Sequence, residues 1–164
     1  ALPSLNKDDP NSALVTYMQA DSTNPRNSAL LLVLRRLLAE PAFAELRTKK
    51  QLGYIVSLSS GGYGRGYGSV RGIVVRILSQ RFSPLVMEKE LGAFLDTQRG
   101  VMAALQDAEV SELSHSIVRS ILDPPTTYSE EGGEFWNAIV NEMPFDWTEQ
   151  VIQALKSLTA QDVI

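Results

Sequence analysis

The chain has 164 residues, 44% of them apolar and 21% charged, with a net charge of −4, no cysteine and one histidine. That size and composition predict a soluble globular domain with a core of its own, and no apolar run is long enough to span a bilayer. The acidic balance argues against a nucleic-acid partner, and the missing cysteines exclude a disulfide framework, a thiolate zinc site and a cysteine nucleophile.

A strand and a long helix are predicted at the start of the chain. Residues 11–20 contain a strand-like run of apolar and β-branched residues. Ser22, Thr23 and Asn24, followed by Pro25, indicate a helix start with proline in the first turn. The leucines that follow recur at helical spacing. Pro41 is expected to interrupt or kink this helix, which Phe43 and Leu46 could continue.

The next segment predicts a β-hairpin. Apolar residues alternate from Leu52 to Leu58, which favours a strand, and residues 70–78 form a second run dense in Ile and Val. The glycine-rich stretch between them, residues 59–68, is predicted to be the connecting loop. Gly53 suggests close approach of another backbone or of a ligand.

Four further helices and a final helix start are predicted in the second half. Ser83 and Pro84 open the first of these helices, and Asp107 is the expected N-cap of the next. Ser129 and Thr148 are expected to start two more helices. Thr159, followed three residues later by an acidic residue, indicates a last N-cap.

The order of elements is strand, helix, strand, strand and then several helices. This predicts an α+β domain with an antiparallel sheet covered by helices. No internal repeat or long linker divides the chain, so residues 1–164 are expected to be one domain. The unusual first and last residues suggest that it is truncated at both ends.

A metal or nucleophile site has little support in this sequence. Zinc needs several convergent ligands, and His115 is the single histidine. His115 lies away from the apolar face of its helix, so it is predicted to face solvent. A Ser-His-Asp site lacks its nucleophile elbow. Paired carboxylates such as Glu130 and Glu131 come at helix starts, where capping is expected.

The glycine-rich loop invites two functional interpretations. A phosphate cradle is disfavoured because the loop precedes a strand, so no helix N-terminus is available to bind an anion. Base stacking by Tyr63 and Tyr67 with Arg65 would suit a module that binds single-stranded nucleic acid. One arginine in an acidic domain is thin support, and an ordinary hairpin loop is the simpler interpretation.

Arg47 and Tyr54 flank the junction between the first helix and the hairpin. From the residues alone, Arg47 could be a cation that stabilises the last helical turn. Tyr54 could be a strand residue on the apolar face with Leu52 and Val56. Functional roles for both residues remain open at this level.

Residues 46–56 around this junction read LRTKKQLGYIV. This segment closely resembles LRTKEQLGYIV of the insulysin/pitrilysin family of zinc metallopeptidases, with Lys50 in place of the usual glutamate. Further resembling motifs follow in the same order: NSALVTYMQ at 11–19, EPAF at 40–43, ELGAFL at 90–95, LDPP at 122–125, FW at 135–136 and LTAQDVI at 158–164.

The resemblance implies an α/β sandwich-like domain from the zinc-free C-terminal half of such an enzyme. Arg47 and Tyr54 match the Arg and Tyr with which that half reaches the substrate. Tyr54 would then donate its hydroxyl to the developing oxyanion, and Arg47 would anchor the peptide backbone or assist Tyr54. The zinc, its bound water and the glutamate base would belong to the N-terminal half.

The resulting expectation is an insulysin-like metalloendopeptidase domain that contributes to peptide hydrolysis but holds no metal or other cofactor itself. Its partners would be the zinc-bearing half and peptide substrates, without nucleic acid or membrane. Alone it should be inactive, and an exposed apolar patch could make it self-associate. We expect a cytoplasmic location. A catalytically inactive scaffold or peptide-binding domain on the same fold is the alternative.

Overall fold

Helices pack against a three-stranded antiparallel sheet in the part of the chain that the computed structural model describes: residue 6, residues 8–20, 24–63 and 70–164, without the side chains of Tyr63 and Glu134. The strands are β1 (Ser12–Ala20), β2 (Ile55–Tyr63) and β3 (Val70–Ser79). β3 is central and pairs antiparallel with both neighbours. The predicted α+β class and the hairpin are confirmed.

The helices are separated by short connections. They are α1 (Pro25–Ala42), which continues into a π-helical segment (Phe43–Lys49), then α2 (Pro84–Ala103), α3 (Asp107–Leu122), α4 (Tyr128–Val140), α5 (Trp147–Lys156) and α6 (Ala160–Val163). Within the described ranges, no helix is long and apolar enough to cross a membrane.

Two groups of buried side chains form the core, and α1 contributes to both. The first lies between the sheet, α1 and α2, and contains Ile77, Met87 and Phe94. The second joins α1 to α3, α5 and α6, and contains Val33 and Leu155. In the central strand, Ile73, Val75 and Ile77 belong to the first group, and Val74 between two of them is also buried, at 1% exposed.

Strand β2 differs from its prediction at both ends. It begins at Ile55 and runs to Tyr63, so part of the predicted loop is paired strand. Gly61 permits this pairing, because a Cβ atom there would lie 2.4 Å from Cγ2 of Val74. The rest of the predicted loop, residues 64–68, lies outside the described residues.

Three predicted helix starts shift by one or two residues. Gln106 caps α3 in place of Asp107, and its N–H donates to the Glu109 carboxylate at 2.9 Å. Thr127 caps α4, where Ser129 was predicted, and α5 begins at Trp147. In each case the first turn starts earlier because a preceding residue adopts the cap position. The predicted Thr159 cap is confirmed.

Pro41 does not end the first helix. α1 passes through Pro41 to Ala42, and the chain then widens into the π-helical segment. Lys50 N–H donates to the carbonyl of Glu45, five residues earlier, which is the hydrogen-bond spacing of a π-helix. The wider turn places Leu46 in the core, where it is fully buried.

An exposed apolar surface lies on α4. Phe135, Trp136, Ile139 and Val140 are 57%, 66%, 56% and 47% exposed. Single exposed apolar side chains are ordinary, but a cluster on one helix is characteristic of a surface that meets another protein or domain. The predicted exposed apolar patch is therefore present, although self-association stays a prediction.

Candidate functional site

The candidate site lies on the connection between the π-helical segment and β2. Leu46 and Leu52 enclose this connection, and both are buried in the core against the sheet. Leu52 N–H donates to the carbonyl of Leu46 at 3.0 Å. The two leucines therefore fix the ends of a tight turn that carries Arg47 and leads to Tyr54.

Two residues of this turn, Gln51 and Gly53, have unusual backbone surroundings. Gln51 has a φ of 51°, in the left-handed region that ordinary side chains rarely adopt. A Cβ atom on Gly53 would lie 2.2 Å from the carbonyl oxygen of Leu78, so only glycine allows this approach to β3. The sequence-based expectation of a close backbone approach at Gly53 is confirmed.

Tyr54 stands outside the core. Its side chain is 48% exposed, whereas Leu52 and Val56 are 2% and 8% exposed, which rules out the interpretation of Tyr54 as a third core residue. Tyr54 N–H donates to the carbonyl of Leu78 at 3.0 Å. Because Tyr54 precedes the first residue of β2, its side chain does not follow the alternation of the strand.

The Tyr54 hydroxyl has a defined partner across the end of the sheet. It donates to Oδ1 of Asn11 at 3.0 Å. Asn11 is held by Asp9, whose Oδ1 accepts from the Asn11 backbone N–H at 2.9 Å and from its side-chain amide at 2.6 Å. Asn11 and Tyr54 precede the edge strands β1 and β2, so the hydroxyl position is set by strands on both sides of β3.

Asn11 and Asp9 were not identified as site residues from the sequence. The sequence places Asn11 only at the start of a predicted strand and in one of the motifs that resemble the family. The signal that brings it to Tyr54 is the strand register, in which Ser12 pairs with Ser79 and Ile55 with Leu78. A pairing register cannot be obtained from a single sequence.

Arg47 is half-buried in the last turn of the π-helical segment. Its guanidinium makes no hydrogen bond or ion pair with any residue in the described part of the chain, and no hydrogen bond there joins it to Tyr54. The structure thus places both residues on one connection without bonding them to each other.

The two neighbouring lysines form ion pairs. Lys50 Nζ lies 2.6 Å from Glu90 Oε2 on α2 and 3.8 Å from Glu45, and Lys49 lies 3.1 Å from Glu45. Lys50, which differs in charge from the family's usual glutamate, therefore ties the site connection to α2. Among the described residues, Arg47 differs from these two lysines, because its guanidinium forms no ion pair there.

Comparison with known proteins identifies the family. The family model described as PQQ synthase PqqF-like, C-terminal lobe domain 4, matches residues 33–136, which is more than half of the chain. The chain belongs to this family. The match also confirms the resemblance to the insulysin/pitrilysin metallopeptidases and to their C-terminal region.

Relatives match nearly the whole chain but are much longer. Human insulin-degrading enzyme is 29% identical over 155 residues, covering 94% of this chain and 15% of its own length. The nardilysin-like protein of Arabidopsis thaliana is 26% identical over 163 residues, covering 97% and 16%. The chain thus spans about a sixth of these relatives.

A solved structure supports the fold. The crystal structure of pitrilysin superposes with a TM-score of 0.78 and 22% identity, covering 95% of this chain and 16% of that one. At this identity the likeness shows the fold alone. The family and the α+β fold are therefore established for this chain, whereas the roles of Arg47 and Tyr54 stay predictions.

The described residues offer no cluster of metal ligands. Among the described residues, no group of three or more His, Cys, Asp or Glu side chains is placed to hold a metal ion. His115 is exposed, as predicted.

Two carboxylates at helix starts have structural roles. Glu130 accepts from the backbone N–H and hydroxyl of Thr126 at 2.7 and 2.9 Å, which lowers the pKa of its carboxyl. Asp162 caps α6 by accepting from Thr159 N–H at 2.8 Å. The predicted capping role of acidic residues at helix starts is confirmed.

The Lys50–Glu90 pair gives a pH-dependent prediction. The hydrogen bond from Lys50, and then its charge, lower the pKa of Glu90 below its ordinary value of 4.5. Because the folded-state pKa is the lower one, the pair stabilises the fold above that ordinary value and ceases to do so as pH falls through the folded-state pKa. We expect Glu90→Gln to lower the free energy of unfolding at pH 7 and to match wild type at low pH.

Denaturant unfolding at a series of pH values would measure this difference. Glu88→Gln, at an exposed position on the same helix, is the matched control and should follow wild type throughout. A Glu90→Gln deficit that stayed constant down to low pH would contradict the ion-pair origin.

Proposed function

We propose that this chain is the zinc-free C-terminal-half domain of an insulin-degrading-enzyme-like metalloendopeptidase, in which Tyr54 and Arg47 bind the substrate and stabilise the transition state. The observation that carries the proposal is the placement of Tyr54. Its half-exposed hydroxyl is held by Asn11 at the end of a rigid sheet, in a chain whose family is that of metallopeptidase C-terminal lobes.

The chemistry assigned to Tyr54 is hydrogen-bond donation to a developing oxyanion. Such a donor is effective when its position is fixed before the reaction, because no reorganisation is then needed as charge develops. The backbone bond to Leu78 and the hydroxyl bond to Asn11 restrict Tyr54 at both ends. When the substrate arrives, the Tyr54 hydroxyl would keep its proton and exchange its hydrogen bond to Asn11 for one to the substrate oxygen.

The role assigned to Arg47 is to anchor the substrate backbone. A guanidinium has five N–H donors and no acceptor, so it suits peptide carbonyls and carboxylates. Lys49 and Lys50 contact nearby carboxylates, whereas Arg47 keeps its donors available among the described residues. This difference favours Arg47 over its neighbours for substrate contact.

The partner of this domain would be the zinc-bearing half of the same enzyme. The relatives are about six times longer than the chain, and the apolar side chains of α4 would need cover in a larger assembly. The metal and the general base would come from that other half, as the family resemblance implies.

Cleavage of a quenched peptide by the purified chain, alone and mixed with the zinc-bearing half of its parent, tests this function. We expect activity only in the mixture, and none after chelation. Activity of the chain alone would overturn the proposal. If the mixture does not cleave the peptide although both halves are folded and bound to each other, the inactive scaffold would be favoured instead.

The scaffold alternative shares the fold but not the chemistry. Its simplest discriminator is the reading frame of the longer protein, since an H-x-x-E-H zinc motif elsewhere in it supports the peptidase. Its absence would support a scaffold that binds peptides without cleaving them.

A further inference from the structure

Helix α4 buries almost nothing against the rest of this chain. Among the α4 residues whose burial is described, only Ala138 is half-buried and all the others are exposed. None of the described α4 side chains belongs to either buried group of the core, whereas α1, α2, α3 and α5 each bury three or more residues. α4 is therefore attached to the domain through its two ends and not through one of its faces.

The sequence of α4 makes an uncovered helix unfavourable. The helix has 13 residues, and helices of that length are marginal in water unless they pack on something. Gly132 and Gly133 lie in its interior, where each glycine weakens a helix relative to alanine. Phe135, Trp136 and Ile139 are all exposed and lie at helical spacing along one face. A helix of this composition requires a partner surface.

Gly132 marks the place where that partner comes closest. It lies three residues before Phe135 and four before Trp136, so it is on the apolar face, one turn earlier. A Cβ atom on Gly132 would meet nothing within 4 Å, so no contact in the described chain requires a glycine there. Glycine inside a regular element permits close approach of another group. We therefore expect the group that approaches Gly132 to belong to the cover of α4.

The charge of this region indicates the chemistry of the cover. Between Arg119 and Lys156 the chain has seven acidic residues and no lysine or arginine. Glu131 borders the apolar face four residues before Phe135, and Glu142 follows the last turn of α4. Both glutamates are exposed, and neither forms an ion pair with a described residue. The surface is therefore apolar with acidic borders.

Three kinds of cover suit an acidic border poorly. A second copy of the chain that paired α4 with α4 would bring the acidic borders of both copies together. An anionic lipid surface attracts lysine and arginine, so it would repel these carboxylates. Nucleic acid would repel them for the same reason. A protein segment that is apolar and positively charged matches both properties of α4, because complementary charges favour the correct partner.

We propose that a basic, apolar segment of the same longer protein covers α4 and packs most closely at Gly132. The chain covers only 15% of the length of human insulin-degrading enzyme, so a protein of that size has many segments outside this domain. A segment of the same polypeptide has a high effective concentration, which favours it over a separate partner. The inference shares with the proposed function only the premise of a longer protein, and it needs neither Tyr54 nor a metal.

Hydrogen exchange of the full-length protein that contains this chain tests the cover. Peptic fragments that span residues 128–140 report how readily the α4 amides open. A covered α4 should exchange at least about 10²-fold more slowly than an unfolded chain, as the core helix α5 should, whereas an uncovered helix of this length should stay within about tenfold of it. Dilution of the protein should not change the result, because the cover is intramolecular.

Gly132→Ala is the most informative variant, because a covered and an uncovered helix predict opposite signs. In an uncovered helix alanine is the better residue, and exchange of α4 should slow about fivefold. With a partner packed at Gly132, the added methyl group should accelerate exchange at least about tenfold. Gly92→Ala, inside α2 with open space around the new Cβ, is the matched control and should slow exchange of its own helix.

Glu142→Lys tests the charge of the cover in the same way. Residue 142 follows the C-terminus of α4, where a cation suits the helix dipole, so in an uncovered helix the change should slow exchange slightly. Opposite a basic partner it should accelerate exchange about tenfold at low salt, and by less at about 1 M salt, where charges are screened.

Fast exchange of α4 in a full-length protein whose α5 is protected would overturn the proposal. So would slower or unchanged exchange of α4 in Gly132→Ala or in Glu142→Lys at low salt. Protection of α4 that disappears on dilution would also overturn it, and would assign the surface to a second copy. Because the readout is exchange and not cleavage, a failure here is distinct from a failure of the peptidase function.

Discussion

Under the proposed function, replacing Tyr54 with phenylalanine should lower the kcat of the full-length protein by about 10²–10³-fold, the usual effect of removing one oxyanion donor. KM should change little, because the substrate carbonyl carries less charge than the oxyanion and gains less from the hydrogen bond. The ring remains, so packing beside the sheet is kept. Steady-state kinetics on a quenched peptide would measure both constants.

Two controls separate this effect from damage elsewhere. Tyr128→Phe removes the same hydroxyl from a tyrosine that is 94% exposed on α4, and should leave kcat unchanged. The zinc content of Tyr54→Phe should equal that of wild type, because Tyr54 belongs to a domain without metal ligands among its described residues. Unchanged kcat in Tyr54→Phe would refute the role assigned to the hydroxyl.

The split between kcat and KM also distinguishes the two residues. If Arg47 anchors the substrate backbone in both ground and transition states, Arg47→Ala should act mainly on KM. Arg35, at an exposed position on α1, offers a control for loss of one positive charge. A fall in kcat alone in Arg47→Ala would instead mean that Arg47 acts with Tyr54 on the transition state.

The sequence predicted the fold well where a local pattern determines it. Strands β1 and β3 and the helices carry strong periodicities, and each was predicted within a few residues. Helix caps were less accurate, because Gln106 and Thr127 compete with neighbouring polar residues that suit the same position. The sequence alone contains no information on which competitor will adopt extended backbone geometry.

The site was predictable only in part, for a different reason. The resemblance to the family points to Arg47 and Tyr54. Gly53 is predicted from a general property of glycine in strands, which permits close approach of another backbone. The hydrogen bond from Tyr54 to Asn11 joins residues 43 positions apart, and it depends on the register of both edge strands with β3.

Gly53 allows the link between fold and site to be tested directly. A Cβ atom on Gly53 would lie 2.2 Å from the carbonyl oxygen and 2.9 Å from the carbonyl carbon of Leu78. Both are backbone atoms of β3 and cannot move without disturbing the sheet. We expect Gly53→Ala to lower the free energy of unfolding by about 1–3 kcal/mol, measured by denaturant titration.

The matched control is Gly72→Ala, in which the new Cβ would lie at the same 2.2 and 2.9 Å from the carbonyl of Met18. Gly92→Ala is the opposite case. Gly92 lies inside α2 with nothing within 4 Å of the new Cβ, so it should stabilise the protein by about 0.5–1 kcal/mol. These three glycines therefore predict two losses and one gain of stability.

Activity separates the two destabilised variants. Gly53 directly precedes Tyr54, so a shift that relieves the clash moves the Tyr54 backbone and its hydroxyl away from Asn11. Displacements of about 1 Å at a catalytic group can cost about 10²-fold. We therefore expect the folded fraction of Gly53→Ala to have a much lower kcat, whereas Gly72→Ala, at the far end of the sheet, should keep it. Equal kcat in the two variants would mean that the position of Tyr54 does not limit catalysis.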